Sequence, residues 1–415
     1  MLDSRYDSLV TCIGTGFSGI CVGAQLKRWY NQSDIVFFDR QDSLGGTWWI
    51  NTYPGIACDV PAPLYSLSFA QSANWSSLFP PGREIKQYLD TVAAKYDLRR
   101  RMRFSTEVKD CSWNADIQGW ILSVEDLQTK KTYTHATKIL FASCGQLIRP
   151  NELDIPGSDT FAGPIFHSAR WRKDVDTTGK RVVVIGNGCT AAQIVPNMLK
   201  DEPPASIIQI VRSNHYILPA PQFKYTPTMR FILANIPGAL WLLRLFVFFA
   251  AELSFPLFYT NQFATRFRRN ATKRAQAFMA SQCPPDLQST LIPDFELGCK
   301  RRIFDPGYFK SLHDPRVHVE ARKATRVVPE GIELADGTVL EADVIVCANG
   351  FRTNYFLDRM PVTGENDQTV AEHWQQFGGA EAYNCSVMSG FPNFFVILGP
   401  NAATGHTSAI MACEK

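Results

Sequence analysis

The sequence has no Cys-x-x-C pair, although it contains eleven cysteines. The cysteines are scattered and odd in number, which argues against a disulfide framework, a zinc ribbon and a dithiol redox centre. We therefore predict a reduced, intracellular protein, cytoplasmic and without a metal site. The N-terminal residues enter an apolar strand pattern almost at once, so no signal peptide is expected.

Long runs of charge of one sign are also lacking. The 42 basic and 39 acidic residues give a net charge of +3, and the basic stretches at 98–103 and 300–302 are short. This distribution lacks the electrostatic footprint of a nucleic-acid-binding protein, and we predict no nucleic-acid partner. With 415 residues, 45% of them apolar, the chain has room for two domains or more.

One apolar stretch, residues 239–258, approaches the length of a membrane span. Arg244, Glu252 and Pro256 interrupt it. We interpret this stretch as a buried or channel-lining helix hairpin within a helical insertion. The first alternative is a helix that lies at a membrane surface and gives the protein a peripheral membrane contact, and the least favoured is a true membrane span.

The segment SLVTCIGTGFSGICVGAQL contains a G-x-G-x-x-G motif between a predicted strand and a predicted helix. Its first glycine permits the tight turn, the second lets the backbone approach a pyrophosphate, and the third packs the helix on the strand. A second apolar strand ends in an acidic residue, at the distance from which a carboxylate reaches a ribose hydroxyl. The predicted dinucleotide site consists of Gly14, Gly16, Phe17, Ser18, Gly19 and Asp39.

A second motif of the same kind lies in KRVVVIGNGCTAAQIV. The strand after it ends in an arginine, which suits the 2′-phosphate of NADP(H); a solvated charge at a strand end is the alternative. Two such motifs predict two dinucleotides, a flavin (FAD) at the first and NADP at the second. The second predicted site consists of Gly186, Asn187, Gly188, Cys189, Thr190, Ala191, Arg212 and Ser213.

These patterns predict an α/β protein with two Rossmann-like dinucleotide-binding domains and a helical insertion. A hairpin is predicted at Asp336-Gly337. The apolar strand after it ends in ANGF much as an earlier strand ends in FASCG, so we expect it to return to the first domain. The predicted boundaries are 1–150 and 330–415 for the FAD domain, 151–175 for a linker, 176–220 and 294–329 for the NADP domain, and 221–293 for the insertion.

Two longer motifs carry a resemblance that spans nearly the whole chain. Phe161, Gly163, His167 and Trp171 match F-x-G-x-x-x-H-x-x-x-W, and GGTWWINTYPGIACD matches G-G-x-W-x-x-x-x-Y-P-G-x-x-x-D. The sequence resembles the class B flavoprotein monooxygenases, and among them most closely the Baeyer–Villiger monooxygenases. It departs from the usual Pro or Asp after the tryptophan, where it has Arg172.

The resemblance implies the following reaction. NADPH reduces FAD, the reduced flavin adds O2 to form a C4a-peroxyflavin, and the peroxide attacks a ketone carbonyl to give an ester or lactone. A hydrophobic secondary metabolite is the expected substrate, in a channel walled by residues 221–293.

The resemblance also implies roles for individual residues. Gly46, Thr47, Trp48 and Tyr65 would line the flavin, Lys300 would lie near the NADP phosphate, and His167 would couple the two domains. Arg301 would stabilise the peroxide anion, with Asp59 as its partner near the flavin. A shift of one residue would give this role to Arg302, and a solvated basic turn is the further alternative.

Two other functions stay open at the sequence level. A related class B enzyme would oxygenate nitrogen or sulfur, and would need no arginine to stabilise an anion. The other hypothesis is a truncated, non-productive flavoprotein, because few residues follow the Gly405-His406-Thr407 segment, which in relatives precedes a helix facing the flavin.

Overall fold

The structure is a computed structural model that describes residues 5–221, 223–353, 357, 360–402 and 407–414. Its strands are β1 Ser8–Ile13, β2 Ile35–Phe38, β3 Met102–Arg103, β4 Thr106–Asn114, β5 Gly119–Asp126, β6 Thr132–Ala142, β7 Ile165–His167, β8 Arg181–Ile185, β9 Ser206–Ile210, β10 Ile217–Leu218, β11 Ile303–Phe304, β12 Val317–Glu320, β13 Ala324–Val328, β14 Gly331–Leu334, β15 Val339–Glu341, β16 Val344–Cys347, β17 Val362–Thr363 and β18 Phe394–Val396. Its α-helices are α1 Phe17–Tyr30, α2 Thr47–Ile50, α3 Gly82–Lys95, α4 Cys189–Asp201, α5 Pro227–Asn235, α6 Ala239–Glu252, α7 Gln262–Gln282, α8 Gln288–Leu291, α9 Tyr308–Ser311, α10 Val370–Gln376 and α11 Ala409–Glu414.

The first sheet has the order β17-β4-β5-β6-β1-β2-β3, and β18 also pairs with β6. Strand β1 pairs in parallel with both β6 and β2, so the first glycine motif follows the carboxyl end of a central strand. Ligands of open α/β sheets bind at this kind of position. Because β17 and β18 come from the last part of the chain, the first sheet combines strands from both ends of the described chain.

The second sheet is fully parallel, with the order β12-β9-β8-β16-β7. Strand β8 carries the second glycine motif at its carboxyl end and lies between β9 and β16. The α/β architecture with two dinucleotide-binding sheets is thereby confirmed. Strands β14 and β15 form the predicted hairpin, with Gly337 at φ +83° in its turn.

The prediction that β16 returns to the first domain is wrong. This strand pairs with β8 and β7 in the second sheet, so residues 330–348 belong with the NADP domain rather than the FAD domain. The similar strand ends have a different cause. A Cβ on Gly14 would lie 2.4 Å from the carbonyl oxygen of Ser143, after β6, and one on Gly186 would lie 2.4 Å from that of Ala348, after β16. Each strand end therefore closes against the glycine turn of its own sheet.

Residues 227–291, within the expected insertion, form helices α5 to α8. Met229, Leu240 and Leu243 pack against the core of the first domain, whereas Phe267 and Phe278 of α7 pack against the core of the second. The expectation of a buried hairpin at Ala239–Phe258 is wrong, because only 11% of its most apolar window is buried. The segment is long and apolar enough to cross a membrane, and most of its apolar side chains, apart from Leu240, Leu243, Val247 and Leu257, lie toward the outside of the protein.

Candidate active site at the contact of the two domains

The first glycine turn leaves the start of helix α1 open. Gly16 precedes the helix and provides no side-chain cap. Among the described residues, none accepts a hydrogen bond from the backbone N–H groups of Phe17 and Ser18, although both residues are buried. Buried helix N-termini need a partner, and an anionic phosphate is a suitable one. This turn therefore fits a pyrophosphate.

A second glycine pair adjoins the first turn. A Cβ on Gly46 would lie 3.1 Å from Cα of Gly16, so the two glycine segments approach each other backbone to backbone. Gly46 has φ +54° and leads directly into α2, which begins at Thr47. The structure thus brings Gly46 and Thr47 to the predicted FAD turn.

Asp39 lies immediately after β2 and is largely buried beside this turn. Its Oδ2 accepts hydrogen bonds from the backbone N–H and the hydroxyl of Thr15, at 2.8 and 2.6 Å, and its Oδ1 accepts one from the N–H of Gln41. A carboxylate has about four acceptor positions. These contacts fix the carboxylate next to the glycine turn and leave acceptor capacity for a ribose hydroxyl.

Three aromatic side chains enclose the same region. The indole N–H of Trp48 donates to the Tyr65 hydroxyl at 3.2 Å, and the Tyr65 ring meets that of Phe17 edge to face at 5.1 Å. Burial raises the pKa of Tyr65 well above its usual value, so this hydroxyl stays protonated. The cluster provides a fixed apolar wall beside the first glycine turn.

The second glycine turn precedes helix α4, which begins at Cys189 and also has no side-chain cap. A Cβ placed on Gly188 would meet no atom within 4 Å, so the space before the helix is open. Arg212 is exposed just beyond β9, followed by the half-buried Ser213. Nearby, the Lys300 ammonium lies 3.4 Å from the carbonyl oxygen of Asn214. The predicted NADP residues thus lie at one end of the second sheet.

Asp59 and Arg301 meet where the two domains contact each other. The Asp59 carboxylate accepts a hydrogen bond from Nη2 of Arg301 at 2.7 Å, and the two side chains are 24% and 65% exposed. Desolvation acts to lower the pKa of Arg301, but Asp59 and the neighbouring Cys189, Cys58 and Tyr65 raise it by more. The guanidinium is therefore a permanent, oriented positive charge with donors left for a further anion.

The adjacent Arg302 points elsewhere. Its guanidinium lies over the Phe304 ring at 5.6 Å, and desolvation lowers its pKa. Of the two arginines considered from the sequence, the structure pairs Arg301 with the predicted carboxylate.

His167 is held by the backbone on both ring nitrogens. Its Nδ1 accepts a hydrogen bond from the N–H of Ala169 at 3.0 Å, so Nε2 carries the proton and donates to the carbonyl oxygen of Gly350 at 3.0 Å. Burial lowers the pKa of His167, which favours this neutral form. His167 joins the fingerprint segment to the chain that leaves β16, and makes no described contact with Arg301 or Asp59.

Sequence reasoning missed a hydrogen-bonded clamp between the domains. The buried Gln193 on α4 accepts from the Tyr53 hydroxyl at 3.0 Å and donates to the carbonyl oxygen of Ala57 at 3.0 Å. The loop with these two residues also carries Asp59. The position of Tyr53 within the second fingerprint could have marked it as a functional residue. No motif marks Gln193, which the sequence shows only as a polar residue on a helix.

Comparisons with known proteins agree with this geometry. Residues 12–80 match an NAD(P)-binding Rossmann-like domain, and residues 66–229 match a family described as L-lysine 6-monooxygenase/L-ornithine 5-monooxygenase. A Baeyer-Villiger monooxygenase of Streptomyces coelicolor is 35% identical over 98% of this chain and 76% of its own length. The chain belongs to the Baeyer–Villiger monooxygenase family. A second member of that name, from Pseudomonas aeruginosa, is 31% identical over 98% of this chain and 75% of its own.

Solved structures of the Baeyer–Villiger family share the fold. Cyclohexanone monooxygenase from Rhodococcus sp. Phi1 bound to NADP+ is 27% identical, with a TM-score of 0.83 over 98% of this chain and 82% of the other. The sequence prediction of the family is confirmed. Gly405 and His406, on which the expectation about the end of the chain depends, lie outside the described residues.

Proposed function

We propose that this chain is an FAD- and NADPH-dependent Baeyer–Villiger monooxygenase. It would insert one oxygen atom from O2 next to a ketone carbonyl and release an ester or lactone. The observation that carries the proposal is the 2.7 Å ion pair of Arg301 with Asp59, between two glycine turns suited to dinucleotides. Family membership supports the same reaction.

The residues of the first turn, with Asp39, would hold FAD, and those of the second, with Arg212, Ser213 and Lys300, would hold NADPH. Trp48 and Tyr65 would flank the flavin. When bound, the flavin accepts a hydride from NADPH and activates O2; the protein binds and orients the reactants and stabilises charge.

Arg301 has the properties that this reaction requires. Attack on a ketone carbonyl develops negative charge on oxygen, and a preorganised guanidinium stabilises that charge without reorganisation. Asp59 fixes the direction of the guanidinium through a charge-assisted hydrogen bond. Neutral His167 is suited to a positioning role between the domains.

The substrate we propose is a hydrophobic ketone of secondary metabolism, which would lie against the aliphatic and aromatic side chains of the insertion. We further propose a cytoplasmic enzyme that contacts membranes peripherally through 239–258. The exposure of that segment supports the contact.

A second candidate function is oxygenation of an amine or sulfide. The match of residues 66–229 to lysine and ornithine monooxygenases favours it, because those names describe oxygenation at nitrogen. The Asp59–Arg301 pair favours the ketone, because heteroatom attack on an electrophilic oxygen needs no anion-stabilising arginine.

The test compares Arg301→Ala, Arg301→Lys and Asp59→Asn, with Arg302→Ala as the matched control. We expect Arg301→Ala to lower ester formation from a panel of cyclic and long-chain ketones by about a hundredfold or more. Asp59→Asn should lower ester formation less than Arg301→Ala does, and Arg302→Ala should change it little. Products are measured by gas chromatography beside NADPH consumption and hydrogen peroxide release.

The two functions give opposite outcomes in this experiment. Oxygenation of amines or sulfides that persists in Arg301→Ala, with no ester formed by the wild type, would establish the second candidate. NADPH consumption that yields only hydrogen peroxide for every substrate would contradict both.

A further inference from the structure

Helix α6 carries an apolar stripe on its outer side. Residues four, seven and eleven positions apart lie on one face of a helix. The exposed fractions along this stripe are 58% for Leu242, 72% for Phe246, 59% for Phe249 and 75% for Leu253. Helix α5 adds exposed Phe231 and Ile236, and α7 begins with exposed Phe263.

The polarity of α6 is the reverse of that of a water-facing helix. Its single arginine, Arg244, points toward the protein and donates from Nη1 to the carbonyl oxygens of Pro63 and Ser66. Phe246 and Phe249 point away from the protein, whereas Phe248 is half-buried. A helix whose charge faces the protein and whose aromatic residues face outward is suited to an apolar medium or a partner surface.

Helix α7 supplies positive charge beside the stripe. Arg268 of α7 joins that helix to the segment that follows α6, because its Nη1 donates to the carbonyl oxygens of Leu257 and Tyr259. The outer side of α7 presents exposed Arg266, Arg269, Lys273 and Arg274. No ion pair holds these four side chains within the part of the chain that the structure describes.

The charge of this region differs from that of the rest of the chain. Residues 224–282 contain eight basic residues and one acidic residue, whereas the remainder contains 34 basic and 38 acidic. A strongly cationic region on an otherwise slightly anionic protein attracts an anionic surface and orients the molecule toward it. A second copy of this chain would bring the same positive charge to the contact, which disfavours it as the occupant.

We propose that the outer surface of α5, α6 and α7 docks on an anionic phospholipid bilayer. The stripe from Leu242 to Leu253 enters the interface between headgroups and acyl chains, while the α7 basic residues bind lipid phosphates and carboxylates. This inference rests on the proposed peripheral contact and adds the chemistry of the lipid.

The experiment is co-sedimentation of the purified full chain with vesicles of phosphatidylcholine alone and of phosphatidylcholine mixed with phosphatidylserine. We expect binding to the mixed vesicles that is at least about tenfold tighter and weakens with added salt, because several exposed basic residues act together. Arg269→Glu with Lys273→Glu should remove this preference. Lys138→Glu with Lys323→Glu, an equal charge change at exposed positions elsewhere, should leave it in place.

The apolar contribution is tested with Phe246→Ser and Phe249→Ser. The matched controls are Phe377→Ser and Tyr383→Ser, whose side chains are 64% and 74% exposed on the first domain. We expect the α6 variants alone to lose vesicle binding by about tenfold or more, since each removes a side chain that enters the bilayer. Circular dichroism establishes that each variant is folded.

Three results would overturn the inference. Equal binding to both vesicle types would leave a membrane contact without the proposed lipid chemistry. A dimer in light scattering that Phe246→Ser dissociates would mean that a second copy covers the stripe. No vesicle binding by a protein that still oxygenates ketones would reject the lipid surface and leave the proposed enzyme intact. Vesicle binding by a protein that does not oxygenate ketones would support the lipid surface and reject the proposed enzyme.

Discussion

His167 illustrates how one residue can be specified by a motif and explained by its contacts. The fingerprint locates it, and the hydrogen bonds from Ala169 and to Gly350 fix its tautomer. Because both contacts are to backbone groups, His167 joins two chain segments here and is not placed as a proton donor for the reaction. Arg301 and Arg302 are likewise adjacent in the sequence and are distinguished only by their contacts. Arg301 pairs with Asp59, whereas Arg302 lies over the Phe304 ring.

The lowered pKa of His167 predicts a pH-dependent stability. An unfolded histidine titrates near pH 6.5. The folded chain resists protonation of His167, so its stabilising effect is present above about pH 6.5 and is lost as the pH falls below that value. We expect the free energy of unfolding to decline less steeply between about pH 6.5 and 5 in His167→Gln than in the wild type.

Urea denaturation followed by tryptophan fluorescence at several pH values measures this slope. Burial also lowers the pKa of His135 and His215, so part of the decline should persist in the variant. His313→Gln, at an exposed position, is the control and should retain the wild-type slope. Identical slopes in all three proteins would contradict the neutral, buried state of His167.

At the scale of elements, the contact between the 53–59 loop and helix α4 positions Asp59. Both hydrogen bonds of the Gln193 amide cross from the second domain to the first. The helix that would bind NADPH and the loop that carries Asp59 are therefore joined directly by these two hydrogen bonds.

Replacing Gln193 should weaken this joint. Gln193→Leu leaves the Tyr53 hydroxyl and the Ala57 carbonyl without their partner, and we expect a loss of about 1–3 kcal/mol in the free energy of unfolding. Tyr53→Phe removes one of the two bonds and should cost less. We also expect a higher KM for NADPH and more peroxide per NADPH in Gln193→Leu. A variant with reduced stability but wild-type KM and peroxide yield would show that the clamp is structural only.

Gly55 permits the close approach of the same two elements. It has φ +78°, and a Cβ there would lie 2.1 Å from Nδ2 of Asn197 and 2.8 Å from the carbonyl oxygen of Gln193. Gly179 has a similar φ of +68°, but a Cβ there would meet no atom within 4 Å. Gly179→Ala is therefore the control that introduces backbone strain without a steric clash. We expect Gly55→Ala to lose about 1–3 kcal/mol more than Gly179→Ala in urea denaturation. Equal losses would mean that the loop and α4 separate without cost.

At the scale of the whole molecule, eleven free cysteines are distributed over both domains and differ in accessibility. Cys299 is the exposed one, and burial raises the pKa of others, to about 12 for Cys12 and Cys144 and about 11 for Cys189. Buried thiols with a raised pKa react slowly.

We expect one fast thiol in the native protein with Ellman's reagent, and eleven in urea. Cys299→Ser should remove the fast phase, whereas Cys347→Ser, at a buried position, should leave it unchanged. A total below eleven in urea without reductant would reveal a disulfide and contradict the reduced state predicted from the cysteine pattern.

The sequence by itself determined the local features of this protein. Each glycine motif lies between an apolar strand and a helix, and short-range sterics dictate that turn wherever the chain goes. The two fingerprints located His167 and Asp59, because a motif records a recurrent local environment. The local sequence also indicated a helical insertion after the second motif, since a helix forms through contacts between near neighbours.

Only the tertiary structure decided which elements meet. Strand β16 pairs with β8 although its sequence ends like the strand of the other sheet, because an apolar strand pattern specifies burial but not a partner. Asp59 and Arg301 are 242 positions apart, so their contact depends on the docking of two domains. The outward direction of the α6 stripe was likewise undetermined, because apolar residues alone do not distinguish a buried face from one that contacts another surface. These outcomes depend on long-range packing, which local sequence patterns do not encode.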